Sequence, residues 1–502
     1  MKKRLFSLIL AMLMLTPLVS CASSDDNAGN GTNAGNAGSE PKSDVVDAGE
    51  TESETTEEDV LAKLYEDVPT GNFEGFEFRM LNNKSSFAYT FMTAEELTGD
   101  GLNDAVYNRN SAVSEKLGIT IVEDLVDYNS VTSTMNKEIA SNTDTYACFW
   151  NESKFVAPFA TNGSLVNVND ISTLNLEKPW WNASAMEDVE VKDKLYFLVG
   201  DLHLMFKEAY WIIGFNKGIM DNNGLGDPYE LVREGKWTLD KMVEYMDVAA
   251  QDLDGNGEVD ASDQFGAVSY DGCMKPLFFA TGETLVEKNA EGVPEIKTPD
   301  DKFYTAYTEI VKGVFNNKDA FCNGYSTPGV SSYSEGWLGV FSQGHSMFFY
   351  DPVGTLKKLR DMDAEFGVLP YPKYDETQEN YISLISEYAA FCGIPITNLD
   401  VERTGVILEN LCAESYSGVR DAYNKATLNF KYIRDEDSAE MLNLVFNTGV
   451  FNLADALGVT TMSSTIATNA SNGNEDIASS YAKILKAAGK MLNKSIEGML
   501  GE

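Results

Sequence analysis

The feature that most constrains this chain begins at Phe76, where strand and helix periodicities alternate as far as Trp150. Phe76, Phe78 and Met80 alternate with Glu77 and Arg79, the period of a strand with one buried face. Val106, Val113 and Leu117 then recur at helical spacing behind Asn103, read as the N-cap, and Gly118 ends the helix. Ile119–Val122 reads as a buried strand, Val131–Ala140 as a second helix and Tyr146–Trp150 as a third strand. The β-α-β-α-β order predicts the opening of a doubly wound α/β layer, a parallel sheet covered by helices.

What precedes Phe76 is of another kind. Residues 1–21, MKKRLFSLILAMLMLTPLVSC, join a basic start to a short apolar run and small residues, the pattern of a secretory signal. Leu18-Val19-Ser20-Cys21 resembles a bacterial lipobox, which implies lipidation at Cys21 and anchoring to the membrane; an ordinary signal peptide or a retained anchor helix is the competing reading. Between Ala22 and Val60 there are eleven acidic residues and one lysine among Gly, Asn, Ser and Thr, so residues 22–68 read as a disordered acidic tether.

The remaining stretch of about 430 residues exceeds the size at which one core keeps growing, which predicts two lobes. A formal charge of -40 argues against nucleic acid and against polyanionic substrates, since phosphate binding needs concentrated positive charge. With only His203 and His345, histidine-based metal catalysis is close to excluded. No CxxC pair, Gly-x-Ser-x-Gly elbow or P-loop occurs. Once Cys21 is set aside, five cysteines remain, an odd number.

In a doubly wound sheet, ligands sit beyond the carboxyl ends of the strands. Trp150, Asn151 and Glu152 fall at one such end, where an indole can cover sugar C–H faces and the polar pair can take hydroxyls; a tryptophan merely capping the sheet is the alternative. Trp180 and Trp181, in Lys178-Pro-Trp-Trp-Asn182, are candidates from a loop, with Trp181 favoured. Leu195–Asp201 reads as another strand, and Asp201 either bonds a ligand or caps a turn. Trp211 begins a further strand close to a lobe crossing, and Lys236–Gln251 forms an amphipathic helix with Thr238 as N-cap.

That helix runs into DLDGNGEVDASD. Counting from Asp252, oxygen-bearing groups stand at EF-hand positions 1, 3, 5, 7, 9 and 12, namely Asp252, Asp254, Asn256, the Glu258 carbonyl, Asp260 and Asp263, with Gly257 at position 6. Asp263 replaces the usual glutamate. Gln264–Tyr270 reads as a strand, so the exiting helix of a calcium sensor is missing and the loop is expected to hold a structural calcium ion.

Taken in order, LVSC, YACFWNE, KPWWN, GFNKGIM, EGKWTLDKMVEYM with its acidic loop, SQGHSMFFYDPV and FGVLPYPKYDETQENY resemble extracellular solute-binding protein family 1, the lipid-anchored receptors of carbohydrate ABC transporters. The resemblance implies a two-lobed, periplasmic-binding-protein-like fold (type II), with two doubly wound lobes around a hinge cleft. The lobes are expected at about 69–209 plus 368–415 and at about 210–367 plus 416–502. It also implies cleft roles for Tyr350, Asp351 and Trp150; Trp337 and Tyr388 are further candidates, and the helices 438–462 and 477–499 are expected on the second lobe.

The implied function is that of a receptor: a monomer outside the cell that captures a carbohydrate by lobe closure and passes it to a membrane permease, without catalysis or nucleic acid. DGCMKPLFFATG departs from the family pattern, offering only Asp271 and Thr281 as polar side chains suited to a sugar, so specificity does not carry over. A secreted carbohydrate-active enzyme, or a binder of a non-sugar solute such as a peptide, remains the alternative.

Overall fold

Alternating Phe78 and Met80, both fully buried, form the inner face of β1 (Phe76–Asn83) in a computed structural model of the chain. The structure describes residues 63–85, 88–324, 326–330, 334–428 and 435–501. The signal segment, Cys21 and the tether as far as residue 62 lie outside the described residues. The tether ends earlier than expected: Val68 is buried, Tyr65 stacks on Trp180 with ring centroids 5.6 Å apart, and Lys178 Nζ donates to the Leu64 carbonyl at 2.7 Å.

The helix Gly101–Leu117 follows, burying Val106, Val113 and Leu117. Its cap is Asp100, whose carboxylate accepts the N–H groups of Leu102 and Asn103, so Asn103 lies inside the helix. Gly118 ends it at φ +64°, a left-handed conformation that glycine adopts without penalty. Then come β2 (Ile119–Val126), parallel to β1, a helix at Tyr128–Ser141 capped by Asp127, and β3 (Cys148–Glu152).

The chain then crosses to a second sheet, forming β4 (Trp211–Asn216) and β5 (Phe265–Ser269), the hairpin β6 (Val286–Lys288) and β7 (Pro294–Ile296), and then β8 (Phe321–Asn323), β9 (Ser346–Pro352) and β10 (Phe366–Leu369). It returns through β11 (Ser383–Ile385) to β12 (Ala390–Gly393). Finally β13 (Gly449–Phe451) pairs in parallel with β11. The first sheet has the order β12-β3-β1-β2, parallel except for β12, and the second β10-β4-β9-β5-β8, mixed in direction. The protein is therefore an α/β fold with two lobes, each built on its own sheet.

Three expectations shift in the folded chain. Leu195–Asp201 is extended but joins no sheet as a strand, bridging only at Leu198–Cys392 and Gly200–Trp181. Residues 368–369 belong to β10 of the second sheet, and 415–428 pack on the helix Gly101–Leu117, so these crossings fall later along the chain. The C-terminal helix Ala478–Leu500 touches both lobes: Tyr481 packs on Phe303 at 4.9 Å, while the Met499 carbonyl accepts the Tyr196 hydroxyl at 2.5 Å. All five cysteines of the described residues are buried and unpaired.

Candidate functional site

The second sheet offers its cleft-facing groups at strand ends. Trp211 opens β4, Tyr270 follows β5, and Asp351 lies at the end of β9. Tyr270 stands between two indoles, 5.9 Å from Trp211 and 5.0 Å from Trp337, at interplanar angles of 37° and 32°. Trp211 is buried, and its indole N–H finds no acceptor among the described residues. A buried donor of this kind costs free energy until an acceptor arrives, so it marks a wall where a ligand oxygen would be stabilised.

The crossing segment supplies Glu387 and Tyr388. Lys275 Nζ lies 2.6 Å from Glu387 Oε1 and 3.5 Å from Asp455 Oδ2, and Ser463 donates to Asp455 at 2.6 Å. From the first lobe, Lys154 pairs with Glu152 at 3.0 Å and lies 4.4 Å from the centre of the Tyr388 ring. Ser153 at the end of β3 donates its N–H to the Ala389 carbonyl and its hydroxyl to that of Glu387. Beside them lies a cavity of about 190 Å³ lined by Trp211, Tyr270, Asp271, Lys275, Glu387, Tyr388 and, from the helix Thr461–Ser471, Ser464 and Thr468.

The electrostatics follow from burial and pairing. Burial raises the carboxyl groups of Glu152 and Asp271, and carries Asp351 and Asp455 up to about 6. Burial opposes the charge of Glu387 too, but Lys275 outweighs it and holds that carboxyl below its ordinary value. The charged groups that line the cavity are Asp271, Glu387 and Lys275, the lysine already paired, which makes a surface suited to hydroxyls and unsuited to an anion.

Asp351 carries a testable pH dependence. Its oxygen lies 3.4 Å from the Trp337 indole nitrogen, and its folded value of about 6 stands above the ordinary 3.8. Folding therefore binds a proton between those pH values, and stability falls as pH rises through that window. Asp351→Asn keeps an acceptor for Trp337 and cannot ionise, so it is expected to flatten that fall and to add roughly 2–3 kcal/mol at pH 7. Urea melts of both proteins at pH 4 and pH 7 check it; an equal difference at the two pH values would defeat the assignment.

Of the residues singled out by sequence, Asp271 and Tyr388 line the cavity, Trp337 packs behind Tyr270 and donates to Asp351, and Glu152 pairs with Lys154 beside Tyr388. The others are engaged elsewhere. Trp150 is 4 % exposed and lies flat against His203, ring centroids 6.2 Å apart, so both its strand and its neighbour hold it in the first-lobe core. Asn151 spends its amide on the Tyr128 carbonyl at 2.9 Å and Thr132 Oγ1 at 3.2 Å. Trp180 and Trp181 both donate to Glu409, at 2.9 and 2.8 Å. Asp201 pairs with Lys207 and Arg420 elsewhere, and the Tyr350 hydroxyl sits between the sulfurs of Met242 and Met246. Thr281 bonds the Phe278 carbonyl of its own helix.

Sequence reading missed Trp211, Tyr270 and Lys275 as cavity residues, and Asp455 as the partner of Lys275. Trp211 and Tyr270 carried a usable signal, since each stands at a strand end of the second sheet. Lys275 and Asp455 carried none, because only the fold brings residues 180 positions apart to 3.5 Å.

In the acidic loop, the carboxylates of Asp252, Asp254 and Asp263 come together, with ligand oxygens within 4.8 Å of one another. Gly257 has φ +78°, which permits the sharp turn. Asp263 is buried and accepts from Leu253 and Asp260, so it ties the loop to β5. Asn256 and Asp260 accept backbone N–H groups of Glu258 and Ser262, and the Asp260 carboxylate is not among the three that converge.

No protein-family model and no curated protein matches the chain. Solved structures do. UspC of M. tuberculosis superposes with a TM-score of 0.54 at 12% identity, over 83% of this chain and 100% of that one. A cyclo/maltodextrin-binding protein complexed with maltotetraose gives 0.53 at 13% identity, over 86% and 98%. An ABC substrate-binding protein from Listeria monocytogenes in complex with cycloalternan gives 0.52 at 11% identity, over 85% and 98%. At these identities the likeness is one of fold: the chain has the two-lobed α/β architecture of these binding proteins.

Proposed function

We propose that this protein is the carbohydrate-capturing receptor of an ABC importer, held outside the cell by a lipid on Cys21 and delivering its ligand unchanged to a membrane permease. The observation that carries the reading is the cavity where the second lobe meets the returning segment, lined by the rings of Trp211, Tyr270 and Tyr388 together with Asp271, Lys275 and Glu387, with Trp337 packed behind Tyr270. Ring faces cover sugar C–H surfaces, and carboxylates accept hydroxyl hydrogens. The solved proteins of like fold include binders complexed with maltotetraose and with cycloalternan. Among the described residues no helix is long and apolar enough to cross a membrane.

Capture needs only that the sugar bind the closed arrangement better than the open one. Lys154 over Tyr388, and Ser153 on the carbonyls of residues 387 and 389, join the first lobe to the crossing segment on which closure would turn. A thermal-shift screen against mono- and oligosaccharides, with product analysis of the same mixtures, tests the reading. A binder in excess raises the melting temperature by mass action. Release of shortened sugars in proportion to protein would favour the enzyme; silence across the sugars would favour a peptide or another solute.

Calcium belongs to the same proposal as a structural ion. Asp252, Asp254 and Asp263 converge in a loop whose glycine permits the turn, and the loop leads into β5, so the ion would tie the helix Leu239–Ala249 to the second sheet. Without the ion, two exposed carboxylates and a buried one repel. Chelation is therefore expected to lower the melting temperature by several degrees, roughly the effect of 1–3 kcal/mol. In Asp252→Ala/Asp254→Ala the chelator should have no effect; unchanged melting of the parent on chelation would leave the loop a turn.

A further inference from the structure

A second cavity, of about 300 Å³, shares no lining residue with the aromatic-walled cleft. Its walls are Trp181 and Asp201 of the first lobe, Lys207 and Tyr210 of the first crossing, Arg420, and Phe446 near the end of the helix Glu436–Asn447. It lies against the hinge, since Tyr210 bridges to Ile385 on the returning segment and packs edge-on against Phe446 at 5.1 Å.

The charges in it are unevenly matched. Lys207 Nζ lies 3.5 Å from Asp201 Oδ1, and the Arg420 guanidinium 3.7 Å from Oδ2. Charge-assisted N–H···O bonds close to about 2.7–2.9 Å, so both cations hold the carboxylate loosely. Oδ2 is buried with no hydrogen-bond partner among the described residues. Two cations thus share one carboxylate, in a chain whose formal charge is -40. Asp421, whose field also reaches Asp201 and Lys207, is exposed, where water and salt screen it. Glu409, behind Trp181, is committed to the two indole N–H groups. Burial of the pair lowers Lys207 and raises Asp201, the direction expected of charges that are not fully compensated.

We propose that this cavity is a second ligand site, taking a small organic or inorganic oxyanion whose carboxylate or phosphate group sits between Lys207 and Arg420. A guanidinium fork matches either group, and Trp181, Tyr210 and Phe446 offer apolar surface to whatever carries it. The cavity is at the small end of ligand pockets, roughly 300–1,000 Å³, so the ligand has few heavy atoms. This site is independent of the carbohydrate cleft and stands or falls without it.

The test is calorimetric titration of the protein with sodium phosphate and, separately, sodium gluconate, at constant ionic strength set by chloride. Saturable binding of at least one is expected. A response to phosphate alone identifies the phosphate group, and one to gluconate alone a hydroxylated carboxylate. Arg420→Gln should weaken the binding by about tenfold or more. Asp201→Asn removes the carboxylate that competes with the ligand and should tighten it, a gain that misfolding cannot produce. Tyr270→Ala should leave it unchanged. Failure of both anions to bind the parent protein and Asp201→Asn would overturn the site. So would a loss of binding in Asp201→Asn like that in Arg420→Gln, because the three charges would then be a structural ion cluster.

Discussion

Tyr270→Ala is expected to weaken carbohydrate binding about thirtyfold or more while leaving the protein folded. The ring stands between Trp211 and Trp337 in the cleft wall, so its removal takes away one stacking face and loosens the two indoles beside it. Residues at the centre of a desolvated binding surface commonly cost 2 kcal/mol or more on truncation, which is about thirtyfold or more in Kd. The check is titration with whichever sugar raises the melting temperature of the parent protein. Tyr270→Phe separates the parts played by ring and hydroxyl, because it keeps the stack. Undiminished affinity in Tyr270→Ala would place the ligand elsewhere and remove the main support for the proposed cleft.

The largest loss of stability is expected from Glu409→Ala. This carboxylate is almost fully buried and accepts three hydrogen bonds, from the indoles of Trp180 and Trp181 and from the backbone N–H of Asn175 at 3.1 Å. Truncation would orphan all three donors at about 1–3 kcal/mol each, and a destabilisation of roughly 4 kcal/mol is a moderate expectation. Glu409→Gln keeps one acceptor oxygen and should lose less. Denaturant melts of the two variants check the order. If alanine and glutamine cost the same small amount, the tryptophan pair is not held by this carboxylate.

Glu409 also shows where sequence reading met its limit. Lys178-Pro-Trp-Trp-Asn182 has the composition of a binding loop, and nothing within it reveals that a glutamate some 230 positions later takes both indole hydrogens. Trp150 misled for a related reason. It stands in the middle of β3, which runs on to Glu152 instead of ending at the tryptophan, and its ring lies on His203, whose placement no local pattern encodes. Tyr350 and Asp351 are neighbours on β9, and strand geometry sends adjacent side chains to opposite faces: one goes to the methionines of the core, the other to the Trp337 indole behind Tyr270. A family resemblance that points to both can be right about only one.

What the sequence determined by itself were features that depend on a few consecutive residues. The β-α-β-α-β opening, the stop at Gly118, the cap at Thr238 and the turn of the acidic loop arise from side-chain period, backbone freedom and local hydrogen bonds, all of which act within about one or two turns of chain. Two lobes followed from length alone. Only the tertiary structure decided which aromatic rings face the cleft and which support it, where the lobe crossings fall, and how Lys275 meets Asp455. Those outcomes depend on burial and on charges brought close by folding, and the strength of both is set by neighbours that are remote along the chain.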